Sequence, residues 1–94
     1  MQAWTFLTNH AHVLLCLGAN PDTTLREVAE QVGITERAAH RIVGELESEG
    51  ALTKTRTGRR NHYEIRKDFP LRHPLEQHCS VGNLMEMVAL DESA

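Results

Sequence analysis

The feature that most constrains the fold is the stretch of residues 24–46, TLREVAEQVGITERAAHRIVGEL. Leu25, Val28, Ala29 and Val32 fall at i, i+3, i+4 and i+7, the spacing of one apolar helix face. Ala39, Ile42, Val43 and Leu46 repeat it. Between the two runs stand Gly33, Ile34 and Thr35. Glycine suits the left-handed residue that ends a helix, and threonine suits the N-cap of the next. Thr24 followed three residues later by Glu27 has the form of a capping box and marks the first start. Two short helices around such a turn make a helix-turn-helix. Neither is long enough to be stable alone, so both need a third partner.

The flanking sequence supplies partners. Thr8 or Asn9 is a candidate N-cap for an earlier helix, in which Ala11, Leu14, Leu15 and Gly18 form one apolar stripe and Val13 and Leu17 another. A helix apolar on two sides is expected to be buried on two sides, one in its own domain's core and the other, its outer face, in a dimer contact. The run Gly18, Ala19, Asn20, Pro21, Asp22 ends it. Residues 1–7 read equally as a short strand, an arm or an early helical turn. Gly50 is expected to stop the second helix of the pair, which would span residues 36–49. The acids Glu45, Glu47 and Glu49 lie near that helix's C-terminus, where the helix dipole disfavours them, and have no folding explanation in the sequence.

Residues 51–56 and 62–66 favour strands, with residues 57–61 as the turn between them, Gly58 and Asn61 serving it. Leu52, Tyr63 and Ile65 would face the helices. Residues 69–74 are a connector, because each proline biases its predecessor away from helix. Pro74 is placed to open a helix at Leu75, with a break near residues 80–82. Val81, Leu84, Met85 and Val88 give a last helical stripe, Met87 and Leu90 leave its other side partly apolar, and residues 91–94 would fray.

Ninety-four residues fit one small domain whose single core is marginal, so dimerisation would help it. The net charge is -3, but its distribution is uneven. Residues 54–67 hold six basic side chains (Lys54, Arg56, Arg59, Arg60, Arg66, Lys67) against Glu64, while the remainder holds four basic and twelve acidic ones. Such polarity directs one face at phosphate and keeps the other away. The longest apolar run, residues 13–17, is far short of a membrane span, and the first residues lack the basic-then-apolar pattern of a signal peptide. A cytoplasmic chain with reduced Cys16 and Cys79 is expected.

This order of elements resembles the winged helix-turn-helix transcriptional regulators of the MarR and ArsR kind, most strongly over residues 13–65. The likeness is carried by LREVAEQVGITERAAHRIVGELESEG, with Ala29 and Gly33 where such units carry small residues, and by the wing-like ALTKTRTGRRNHYEI. It implies a mainly α fold with a small β-hairpin: a three-helix core, a wing and a C-terminal helix. Residues 1–70 would be the DNA-binding domain and residues 71–94 a helical extension for dimerisation. The function implied is a sequence-specific regulator that binds double-stranded DNA as a homodimeric repressor.

With Ala39, Ile42, Val43 and Leu46 inward, helical steps of about 100° place Arg37, Arg41, Gly44 and Ser48 outward, with His40 beside them. Arg37 and Arg41 are suited to base edges, since arginine bonds guanine O6 and N7 together. Thr35 or His40 could meet bases or phosphates, and Gly44 would permit close approach. Arg59 and Arg60, with Lys54, Arg56 and Asn61, would grip phosphate or a minor groove. Val81, Leu84, Met85 and Val88 would join two subunits. Two rivals stand beside this reading. One is a winged helix used only to dock proteins, which the net negative charge favours. The other is a metal- or redox-responsive repressor using His12 with Cys16, or His73, Glu76, His78 and Cys79; the expectation is histidines and thiols without metal. Neither a nucleophile elbow, a phosphate loop nor a paired-carboxylate motif is present, so catalysis and cofactors are not expected.

Overall fold

The computed structural model describes residues 4–89. Six elements follow in order: α1 (Asn9–Ala19), α2 (Leu25–Val32), α3 (Glu36–Glu49), β1 (Leu52–Thr57), β2 (Arg60–Ile65) and α4 (Val81–Ala89). Four helices and one antiparallel hairpin make a winged helix fold. Met1 to Ala3 and the expected fray at 91–94 lie outside the described residues, as does Leu90.

Helix starts are set by side chains. Thr8 caps α1, accepting from Ala11 N, and Thr35 caps α3, accepting from Ala38 N at 3.0 Å. At α2 the capping box is complete: Glu27 N donates to Thr24 Oγ1 at 3.1 Å and Thr24 N donates to Glu27 Oε1 at 3.0 Å. The neighbouring Thr23, the one buried polar residue among those described, also donates to Glu27. These bonds, that from the Thr24 backbone foremost, hold the Glu27 carboxyl below the usual carboxylate range. Both C-caps are left-handed glycines, Gly33 and Gly50.

Thr24→Ala is expected to cost about 1 kcal/mol, since one N-terminal N–H loses its partner. Because Glu27 is depressed in the folded state, its contribution is present above the unfolded carboxyl pKa and is lost as pH falls through the folded value. The gap in melting temperature between wild type and Glu27→Gln should therefore close on acidification below the ordinary glutamate range. A gap that stayed constant or widened there would contradict the assigned bonds.

α1 is the central element. Val13, Leu14 and Leu17 are buried, and the helix meets α2, α3, β2 and α4. Val28, Ile42, Val43, Leu52, Tyr63 and Val81 complete the core around it. Burial of α1 on two sides follows its two stripes: Val13 and Leu17 enter the core, and Leu15 and Gly18 meet Met85 and Val88 of α4.

The hairpin is tighter than expected. Its register pairs Leu52 with Ile65 and Thr57 with Arg60, so only Gly58 and Arg59 form the turn. Gly58 has φ 62° and no other residue there has positive φ, the pattern of a II′ turn with glycine first. Asn61 is thus a strand residue paired with Arg56, not a turn residue. Leu52 and Tyr63 are buried and Ile65 half-buried, as their alternation requires.

One open reading narrows and one expectation changes. Trp4 to Thr8 is a bent segment, neither strand nor helix, with Trp4 and Phe6 edge to face at 4.9 Å. No helix opens at Leu75. Residues 73–79 form successive turns, with Glu76 N donating to His73 O and Cys79 N to Glu76 O. The cause lies in the backbone partners farther along. Pro70 bridges Ser80, Val81 N donates to Phe69 O at 2.8 Å and Gly82 N to Lys67 O at 2.8 Å. Those donors are unavailable to a helix running in from Leu75, so α4 starts at Val81, with Asn83 N donating to Ser80 Oγ. A Cβ on Gly82 would stand 3.0 Å from Lys67 O, so the close crossing here favours glycine.

Candidate nucleic-acid interface

α3 presents three surfaces. Ala39, Ile42 and Val43 are buried and Leu46 is half-buried. Arg37, Arg41, Gly44 and Ser48 are exposed along the opposite crest. Nothing stands within 4 Å of a Cβ added at Gly44, so the crest there is open to an approaching surface. Arg37 makes no ion pair among the described residues. The flanks differ. His40, with Nε2 3.7 Å from Glu36, lies toward the wing, whereas Glu45 lies toward α1.

Arg59 and Arg60 share a cleft of about 580 Å³ with Glu36 and His40 of α3 and with Thr24, Arg26 and Glu27 at the start of α2. The wing tip and the N-terminal turns of α2 and α3 therefore border one space. Three acids line it too: Glu27 caps α2, Asp22 Oδ1 accepts from His62 Nδ1 at 2.8 Å, and Glu36 lies 3.7 Å from His40. Neither Arg59 nor Arg60 has an ion-pair partner among the described residues, so both guanidinium groups are open to an anionic partner. Lys54 and Arg56 are exposed on the wing, Arg56 Nε donating to Gly58 O at 3.1 Å. Asn61 is half-buried and lines the same cleft. Thr35 is exposed beside it, its oxygen committed to the cap.

The remaining candidates are placed differently. Val81 belongs to the monomer core, and Leu84, Met85 and Val88 are half-buried against α1 and the connector. The exposed large apolar residue of α4 is Met87, at 61%. His12 Nδ1 faces Asn9 Oδ1 at 3.3 Å, and burial pushes the Cys16 thiol up. Among the described residues no three of His, Cys, Asp and Glu converge as a metal site.

Four ties escaped the sequence reading. The wing base is held by Tyr63 N donating to Pro21 O at 2.9 Å and by the His62–Asp22 pair. Glu45 accepts from His10 Nε2 at 2.7 Å, and Glu49 lies 3.6 Å from Arg72. The acids at the end of α3 thus fasten it to α1 and to the connector. Partners separated by 35 or 40 residues leave no local pattern to find.

A helix-turn-helix followed by a basic hairpin that borders the same cleft makes a winged helix unit. The comparisons with known proteins agree. Residues 8–53 match the family model described as winged helix-turn-helix DNA-binding. Among solved structures, the PcaV transcriptional regulator from Streptomyces coelicolor is 31% identical over 62% of this chain and 45% of its own, with a TM-score of 0.53. The same regulator in complex with its natural ligand aligns over 94% of this chain and 63% of its own, at 28% identity and a TM-score of 0.56. Lactococcus lactis ZitR, a zinc-responsive MarR family member, shares the fold at 19% identity and a TM-score of 0.53, over 68% of this chain and 46% of its own. The chain spans less than two thirds of the length of each. No curated protein gives a significant match.

Proposed function

We propose that this chain is a regulator of the MarR type that binds double-stranded DNA sequence-specifically, as a homodimeric repressor. The observation that carries the proposal is the common cleft: the start of α3 and the unpaired Arg59–Arg60 pair border one space. α3 would enter a major groove with Arg37 and Arg41 toward base edges, while the wing meets the flanking phosphates. Thr35, His40, Gly44, Lys54, Arg56 and Asn61 would line the same interface. The net charge of -3 does not oppose this, because six basic side chains are concentrated in residues 54–67 against the single acid Glu64.

Residues 1–70 would form the DNA-binding part and residues 71–94 the extension that joins two copies. With Val81 and Met85 packed inside, the outer surface of α4 is left for that contact. Met87 is exposed, and Leu15, Ala19, Val88 and Ala89 line a shallow apolar dimple between α1 and α4. A dimer is expected by sedimentation at micromolar concentration. Met87→Glu with Val88→Glu should yield a folded monomer. A monomeric wild type would refute the assembly.

Selection of bound duplexes from a random pool tests the function. A two-fold dimer should enrich an inverted repeat with half-sites about one helical turn apart. A pool with no enriched sequence would favour a winged fold that docks another protein.

A further inference from the structure

Glu45 is the acid least expected on a helix turned toward DNA phosphate. It stands one turn beyond Arg41, on the flank facing α1. Helical side chains lean toward the N-terminus, which brings its carboxylate back over Arg41. The two oxygens serve different elements. Oε1 accepts from His10 Nε2 of α1 at 2.7 Å, and Oε2 lies 3.5 Å from Arg41 Nη1. The hydrogen bond from His10 foremost, with the charge of Arg41, holds the carboxyl below its usual range. The nearby Arg72 is drawn to Glu49 instead, at 3.6 Å, so Arg41 has no rival for Glu45 from the connector. Half-exposed pairs of this kind contribute little to stability, so stability does not account for the arrangement.

We propose that Glu45 is a positioning residue for Arg41, itself held in place by His10, and that this relay sharpens base discrimination. The inference rests on the reading of α3 as the helix that meets bases. An unrestrained arginine samples many rotamers and can satisfy itself on any nearby phosphate. Glu45 engages one edge of the guanidinium and leaves the other edge free for the paired acceptors of guanine. His10 keeps Glu45 from swinging away. The carboxylate also repels phosphate, which weakens binding to duplexes that offer Arg41 no base partner. Glu45 therefore lowers non-specific affinity and raises the ratio of specific to non-specific binding.

The test measures affinity at one salt concentration for three duplexes: the selected site, that site with the guanine pair facing Arg41 exchanged, and an unrelated sequence. Wild type, Glu45→Gln, Glu45→Ala, His10→Ala, Arg41→Ala and Arg41→Ala with Glu45→Ala are compared, with thermal unfolding confirming the fold of each. Glu45→Ala should bind the unrelated duplex more tightly, yet lose about three- to tenfold of its discrimination at the exchanged pair. His10→Ala should move discrimination the same way by less, and Glu45→Gln, which keeps an acceptor, should retain more than Glu45→Ala. In the Arg41→Ala background, removing Glu45 should change discrimination no further. If Arg41→Ala loses discrimination while Glu45→Ala keeps it, the relay is refuted and the base-reading role of Arg41 stands. If Arg41→Ala itself discriminates like wild type, the base-reading role fails, and the relay with it.

Discussion

Leu17→Ala is expected to destabilise the protein by about 2–5 kcal/mol, the largest effect of any single truncation considered. Leu17 is fully buried in α1, the helix that every other helix and β2 lean on. Removing its side chain loses the burial of the missing carbons and leaves a cavity between elements that cannot all close on it. A domain of this size has a total stability of roughly 5–14 kcal/mol, so the loss is a large fraction of the whole. Each kcal/mol moves the melting temperature of a small domain by about 4–8 °C, which puts the expected drop at roughly 8–40 °C. Leu75→Ala is the control. That leucine is 80% exposed in the turns before α4, and its truncation should stay within about 0.5 kcal/mol of wild type. Thermal unfolding at fixed protomer concentration reads both. Similar shifts for the two variants would mean that the core is not centred on α1.

The contrast between those leucines shows what the sequence could disclose. Periodicity and caps are local, and they located the three-helix core well. Thr24 with Glu27, Gly33, Thr35 and Gly50 mark helix ends through contacts within a few residues, and each stands where its side chain or φ angle was expected. Leu75 fitted a local helix pattern as well, and there the pattern misled. The carbonyls of Phe69 and Lys67 take the N–H groups of Val81 and Gly82, a pairing across the connector that no helical period encodes. The outward side of α3 was legible for a similar reason: once Ala39, Ile42 and Val43 are inward, Arg37 and Arg41 must be outward. What could not be read was how the elements are fastened together. His10 to Glu45, Asp22 to His62 and Arg72 to Glu49 join distant parts of the chain, and each needs the fold before it can be seen. The acids of α3, unfavourable with the helix dipole when considered alone, acquire a role only then.

The second large effect separates reading from gripping on the DNA surface. Arg41 and Arg60 are both exposed arginines, but they stand on different elements and should fail differently. A guanine contacted by Arg41 offers two acceptors in one plane, and the guanidinium fork matches them. Arg41→Ala should therefore cost about 1–3 kcal/mol, roughly five- to 150-fold in affinity, on the selected site, and relax preference at one position of each half-site. Arg60 borders the cleft beside the start of α2, where a backbone phosphate is the expected partner. A phosphate contact binds every sequence alike and releases a counterion. Arg60→Ala should weaken all duplexes by a similar factor and lower the slope of log affinity against log salt by about one unit per contact. Salt titrations of wild type and the two variants, on the selected site and on an unrelated duplex, resolve the cases. The assignment predicts a changed sequence preference for Arg41→Ala and a changed salt slope with an unchanged preference for Arg60→Ala. If the two signatures were exchanged, the wing would be the base reader and α3 the backbone clamp. If neither substitution changed binding, the cleft would not be a DNA surface, and a protein partner would become the better explanation for the winged fold.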